Sequence, residues 1–382
     1  MRDRRSPGPS RRAALAGLAA GGALVVAGCA PGRPAPGPRD VALPRGPRDL
    51  APPRGSRDLA EEPRGGIGGT GATTGVLGTV TALGSVHVNG VRVATPSGTA
   101  ESPIGPLAPR PGHVAELLAG PDADGPGLAA RRLVLRFALV GPVTAAGADG
   151  FAVMGVPVRV EPGVSLAAIG GDRPRPGERV AVSGLWTGGG VVASRLDPAP
   201  DAATDHVEGV VEGVVARGGT GAPAGPRIGP LALPGGIDVP SGRFAAVAGR
   251  WTGAGLVVDD LAIGRPLLDA GPLARVSVEG YLAPESTPEG RDTPGPGLAI
   301  AGLGAAFDPG ARVGSLAIGR AVFIGALQEG PAGRAAEDGR SPARLFRVEH
   351  GIPLPEGHDA RVAALAAIGD GLAPTRGAVE TR

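Results

Sequence analysis

The sequence predicts an all-β protein: tandem small five-stranded β-barrel repeats that follow a disordered N-terminal segment. Three observations predict it. Short strand-turn-strand cores recur along the chain, and the closing leucines Leu133, Leu196 and Leu261 lie 63 and 65 residues apart. Gly (69) and Pro (42) are abundant enough among 382 residues to punctuate many short strands. Helix-period patterns are nearly absent, the exception being Asp359 to Ile368, where Val362, Leu365 and Ile368 share an i, i+3 face. Apolar residues make up 42% of the chain and nine residues are aromatic, so the core must be built from Val, Leu, Ile and Ala.

Residues 1–28 read as an export signal. Five arginines (Arg2, Arg4, Arg5, Arg11, Arg12) precede an uncharged run from Ala13 to Ala27. That run has 15 residues, short of the ~20 needed to span a bilayer as a helix. It ends in Val26-Ala27-Gly28-Cys29, which resembles a bacterial lipobox, in which the cysteine is acylated and becomes the first mature residue. Cys29 is the single cysteine, so it has no disulfide partner. Arg11 and Arg12, in Ser10-Arg11-Arg12-Ala13-Ala14-Leu15, also resemble a twin-arginine signal without its usual Phe and Lys, which leaves the export route open. Ala30 after Cys29, in place of an aspartate, implies by the same resemblance the periplasmic side of the outer membrane.

Residues 29–75 read as a tether. Nine-residue units begin at Gly37, Gly46 and Gly55, each with few apolar side chains and frequent Pro. Such a segment cannot bury enough surface to offset chain entropy. As polyproline II, Cys29 to Gly75 would reach on the order of 140 Å at ~3.1 Å per residue. Gly66, Gly68 and Gly71 spell a G-x-G-x-x-G, but a Pro-rich linker precedes it and a strand pattern follows, the wrong context for a dinucleotide fold.

Four units follow: 76–138, 139–203, 204–270 and a divergent 271–355, with a tail at 356–382 that holds the candidate helix. The first core, Val86-His-Val-Asn89-Gly90-Val-Arg-Val93, carries Asn-Gly between alternating apolar residues, the strongest short-range hairpin signal. Phe151 to Val158 repeats it, and Arg227 to Leu233 and Ala299 to Leu303 are weaker versions. A strand bounded by glycines comes next in each unit, ending at Gly120, Gly184, Gly249 and Gly325. Closing strands follow at Gly127 to Leu133, Gly190 to Leu196, Gly255 to Leu261 and, in the fourth unit, Arg344 to Val348. Five strands in about 65 residues can close as a small barrel resembling the oligomer-binding (OB) architecture, which removes exposed edges. A continuous β-sandwich or solenoid is the alternative.

The repeat is similar to a bacterial family of domains of unknown function, the one numbered 5666. The likeness rests on Gly65 to Gly71, Gly78-Thr-Val-Thr, Val88-Asn-Gly-Val91 and Pro176-Gly177 with Val182-x-Gly184, and covers roughly Gly65 to Pro355. It implies tandem domains in secreted or lipid-anchored proteobacterial proteins and supplies no catalytic or binding residues.

The chain contains no lysine, which excludes a Walker A loop, a lysine Schiff base and a protein-kinase site. The formal charge of +2 belongs largely to the signal. Without residues 1–28, which hold five Arg and one Asp, 33 basic face 35 acidic residues. A slightly acidic body lacks the footprint of a phosphate-backbone binder, so nucleic acid is disfavoured as a partner. The histidines His87, His113, His206, His350 and His358 form no metal-ligand spacing. Asp122-Ala-Asp124-Gly125 starts like a calcium loop but lacks the later ligands. Asp259 and Asp260, adjacent in a strand, are expected to face opposite sides. Trp186 and Trp251, each before Thr-Gly and 65 residues apart, are candidates either for stacking on a ligand or for core packing.

These features lead to the expectation of a non-enzymatic, lipid-anchored cell-envelope protein. It needs no metal or cofactor, is held to the membrane by its N-terminal lipid, and uses its barrels as spacers or as a module binding a glycan or an envelope protein. An envelope hydrolase with a site between repeats is the first alternative. A glycan- or nucleic-acid-binding barrel is the second.

Overall fold

The computed structural model describes residues 73–371 except 96–97, 124–126, 165, 167–168, 201, 203, 214–224, 285–297, 309–318 and 330–343. Cys29, Arg11, Arg12, the tether up to residue 72 and Asp124 lie outside the described residues. The described chain belongs to one compact unit, Pro63–Arg382.

The twenty strands among the described residues fall into four sets of five. The first set is β1 (Thr74–Ala82), β2 (Val86–Val88), β3 (Val91–Ala94), β4 (Val114–Pro121) and β5 (Leu128–Arg136). The second is β6 (Leu139–Ala146), β7 (Phe151–Val153), β8 (Val156–Val160), β9 (Arg179–Trp186) and β10 (Val191–Pro198). The third is β11 (Asp205–Glu212), β12 (Arg227–Ile228), β13 (Leu231–Ala232), β14 (Phe244–Trp251) and β15 (Leu256–Ile263). A short helix α1 (Pro266–Asp269) leads to β16 (Leu273–Pro284), β17 (Leu298–Ile300), β18 (Ala306–Asp308), β19 (Arg320–Glu329) and β20 (Arg344–Pro353), then helix α2 (His358–Gly371).

The first two units are closed barrels with one topology. The first strand pairs with the second and fourth, the second with the third, the fourth with the fifth, and the third with the fifth in parallel (β3–β5 and β8–β10). The all-β fold class and small five-stranded barrels are therefore present, with OB-like strand order. Among the described residues units three and four each keep four of these five pairings. Among the described residues no ladder joins β13 to β15, and none joins β17 to β18, so both barrels are open there.

Glycine explains much of this repetition. In each unit the closing strand carries a β-bulge, at Arg131, Ser194, Asp259 and Glu349. The fourth-strand residue opposite is Ala119, Gly184, Gly249 or Gly325. The bulge pushes a carbonyl at that position, so a Cβ on Gly184 would lie 2.5 Å from the Val192 oxygen. The bulge also corrects the expectation for Asp259 and Asp260: one extra residue resets the alternation, and both side chains are exposed. The hairpin turns at Asn89-Gly90 and Met154-Gly155 have φ of 52° and 74°, and 50° and 78°, as a two-residue I′ turn requires.

The units are joined by backbone pairing. β1 runs parallel to β16, from Thr74 opposite Arg275 to Leu77 opposite Val278. β6 and β11 pair antiparallel through Val140–His206 and Leu139–Val207. Units one and two are bridged by serines: Ser183 Oγ donates to the Arg136 carbonyl and accepts from Val114 N–H, both at 2.7 Å. Ser194 Oγ donates to the Gly112 carbonyl at 2.7 Å.

Candidate functional site

The most concentrated chemistry lies where the units meet. The residue before the conserved-in-register glycine of each first strand is Leu77, Val140, Glu208 and Glu279 in turn, preceding Gly78, Gly141, Gly209 and Gly280. All four are buried. Units three and four thus place a carboxylate where units one and two place an aliphatic side chain, and a buried carboxylate requires a partner.

Glu208 finds Arg136 of the first unit at 3.1 Å. Arg136 also pairs with Glu116 at 2.6 Å, and Glu116 pairs with Arg265, which enters from the third unit, at 3.0 Å. Glu116 Oε1 additionally accepts the Leu267 N–H of α1 at 2.5 Å. Both guanidinium groups lie over the ring of Phe244, Arg136 at 5.4 Å and Arg265 at 4.4 Å from its centroid. Burial pushes the Glu116 carboxyl up, but Arg265, Arg136 and the Leu267 N–H together outweigh it and hold the pKa at about 2. Glu208, likewise desolvated, is held below the usual range by Arg136 and His206.

Glu279 belongs to a second network. Its Oε2 accepts the Thr79 N–H of the first unit at 2.6 Å, and its Oε1 faces Arg320 at 2.8 Å. Arg320 also donates to Thr79 Oγ1 at 2.9 Å and pairs with Glu161 of the second unit. Arg361 of α2 pairs with Glu161 as well, and lies 3.7 Å from Glu279. The helix was legible as an apolar face of Val362, Leu365 and Ile368. Arg361, 0% exposed, is nevertheless its most buried charged residue, because it closes this network. Burial opposes ionisation of Glu279, and Arg320 and Arg361 reverse that and lower its pKa.

These networks leave little room. A cavity of about 40 Å³, lined by residues of all four units including Leu77, Trp186, Phe244 and Ile300, has the scale of a single water. A larger cleft of about 240 Å³ lies between units three and four, lined by Arg243, Phe244, Leu268, Asp269, Glu329 and Arg344 together with Gly264 and Gly304. Desolvation raises the Asp269 pKa, with Arg243 opposing it.

Of the residues singled out in the sequence, Trp186 is 8% exposed. Its Nε1 donates to the Glu208 carbonyl at 2.7 Å. Its ring packs on Gly209, Gly229 and Gly302, where a Cβ would lie 3.0, 2.5 and 2.9 Å from ring atoms. It is packing between units two, three and four. Trp251 is half-buried against the second unit, and its N–H donates to Asp205 Oδ2 at 2.5 Å. Trp186 lines the small cavity at the junction, whereas Trp251 lines neither that cavity nor the larger cleft. His87 alternates with buried Val86 and Val88 and is half-exposed. His113 is buried, accepting Arg110 N–H at Nδ1 and donating from Nε2 to Asp197 at 2.9 Å. Among the described residues no group of three or more His, Cys, Asp or Glu converges as for a metal. Among them, too, no helix is long and apolar enough to cross a membrane.

Sequence reading missed the buried charges. Their one signal is Val-Glu-Gly at Val207-Glu208-Gly209 and Val278-Glu279-Gly280, where an inward strand position changes from aliphatic to acidic between repeats.

Residues 140–197, the second barrel, match the family described as a domain of unknown function (DUF5666). No curated protein and no solved structure matches the chain. The match coincides with β6 to β10, a closed barrel with a Met-Gly hairpin and the Pro176-Gly177 turn. The likeness of the other three units to this one is structural, carried by the shared strand order and the recurring bulge.

Proposed function

We propose that the protein is a lipid-anchored cell-envelope protein whose tandem barrels act as a non-catalytic binding module for an envelope glycan or envelope protein. The carrying observation is Cys29 behind Val26-Ala27-Gly28, followed by a Pro-rich stretch and then the barrels. The location of the barrels' charges supports a non-catalytic body. Glu116, Glu161 and Glu208 each pair with an arginine across a unit boundary, and Glu279, paired with Arg320 of its own unit, accepts the Thr79 N–H of the first, which is the use of charge that positions units. Labelled palmitate added to expressing cells tests the anchor. Incorporation that disappears in Cys29→Ala, together with release of that variant from membranes, is the expected result. No incorporation, or a Cys29→Ala protein still membrane-bound, would overturn it.

One observation favours a second reading, a hydrolase with a site between repeats: Asp269 and Glu329 line the same cleft, and burial raises the Asp269 pKa. Release of reducing ends from envelope polysaccharide by the wild type and not by Asp269→Asn would establish it.

A further inference from the structure

We propose that the cleft between the third and fourth units binds a small carboxylate that also carries hydrogen-bond donors, of the size and class of one acidic sugar. This deepens the binding-module reading and rests on it.

The donors come first. Arg344 is held in place by its Nε, which donates to the Leu268 carbonyl at 2.9 Å. Its Nη1 is buried without a hydrogen-bond partner, 3.7 Å from the carboxylate of Glu329. Glu329, with 66% of its side chain exposed, forms with it a long, solvent-screened ion pair and no hydrogen bond. Arg243, on the neighbouring wall, has no side-chain hydrogen bond or ion pair among the described residues. Arg265 and Arg320, at the junction, differ in leaving no buried nitrogen unbonded, while Arg136 and Arg361 each leave one inside networks already closed by glutamates. Two guanidinium groups with spare donors on one cleft are suited to a planar carboxylate, which accepts two parallel N–H bonds.

The acceptors narrow the class. Asp269 and Glu329 balance the two arginines, leaving a cleft of no net charge. A bare dianion such as phosphate would meet carboxylates on the same walls. A ligand with one carboxylate and several hydroxyls meets complementary groups at both ends.

Size supports the same class. About 240 Å³ exceeds the ~150 Å³ that holds a benzene ring and falls below the ~300–1,000 Å³ of drug-sized pockets. Glycines keep the space open. Gly264 and Gly304 have φ of 98° and 78°, and a Cβ at either would lie 2.8 Å from the Asp269 carboxylate or 2.9 Å from the Phe244 nitrogen.

Calorimetric titration of the full chain with D-galacturonate, D-galactose and inorganic phosphate tests the proposal. Galacturonate is expected to bind at least about tenfold more tightly than galactose or phosphate, the worth of one charge-assisted bond. Arg243→Gln, which breaks no side-chain hydrogen bond or ion pair among the described residues, is expected to lower galacturonate affinity by at least about tenfold with little change in melting temperature. Arg344→Lys, which keeps the charge but not the fork, is expected to weaken it as well. No binding of galacturonate, phosphate binding as tightly as galacturonate, or galacturonate binding indifferent to Arg243→Gln would each overturn the proposal. Galacturonate binding retained by Cys29→Ala, whatever that variant's location, separates this outcome from that of the anchor.

Discussion

The two closed barrels and the two open ones use the same five-strand plan to different ends. In the second unit, Val191–Ala193 of β10 is paired on one side with β8 and on the other with β9. In the third, among the described residues, β15 pairs with β14 alone, and β13 spans only two residues. The open units gain something in exchange. Their first strands carry Glu208 and Glu279, and their walls supply Arg265, Arg320, Phe244 and the 240 Å³ cleft. A closed barrel satisfies its own ladder and core. An open one is completed by its neighbours, through buried charge and a shared ladder.

The largest expected effect comes from breaking a junction that an open unit depends on. Arg320→Ala leaves Glu161 and Glu279 to share Arg361 alone in the interior and should cost roughly 3–5 kcal/mol by urea unfolding. Arg132→Ala, which removes an exposed pair with Glu101, should cost less than about 1 kcal/mol. Equal losses would place the stability outside the junctions.

Acid should act on the same groups. The Glu116 pKa is depressed to about 2, so its ionised form contributes stability that is present above the ordinary carboxylate value and lost as pH falls toward 2. The shift corresponds to roughly 3 kcal/mol between about pH 5 and pH 2. Glu208, Glu279 and Asp197, also lowered, act in the same direction. Urea midpoints measured across that range should fall, and the fall should shrink in Glu116→Gln. A flat profile contradicts the assignment.

The bulge glycines sharpen the comparison with a smaller effect. Gly184→Ala presses on the Val192 carbonyl of a strand pinned from both sides and should cost about 1–3 kcal/mol. Gly249→Ala presses on the Val257 carbonyl of β15, which has a free edge and can yield, so its cost should be lower. The reverse order in thermal unfolding would mean that β15 is as constrained as β10. The smallest effect is local: amides at the outer edge of β15 should exchange faster than those of Val191–Ala193, by hydrogen exchange without denaturant.

Local features were legible and long-range ones were not, for a physical reason. Asn89-Gly90, the glycine-bounded strands and the closing strands depend on backbone conformation within a few residues, and each repeat restates them. The fourth unit's closing strand, expected from Arg344, runs Arg344–Pro353. The bulges were legible in part, as terminal glycines whose cause became visible only once the opposing carbonyl was placed. The parallel pairing of β1 with β16 was not, because nothing at Thr74–Leu77 specifies a partner two hundred residues away. The cleft was hidden for a related reason. Arg243, Asp269, Glu329 and Arg344 come from four separate segments, and none of them stands in a motif.

That open barrels are completed by their neighbours implies that the four units unfold together. Hydrogen exchange followed by mass spectrometry across a urea series reads this directly, strand by strand. The slowest amides of β1 to β20 should lose protection in one common step. Loss of β11 to β20 at lower urea, with β1 to β10 still protected, would show the open units to be independent of the closed ones and would contradict it.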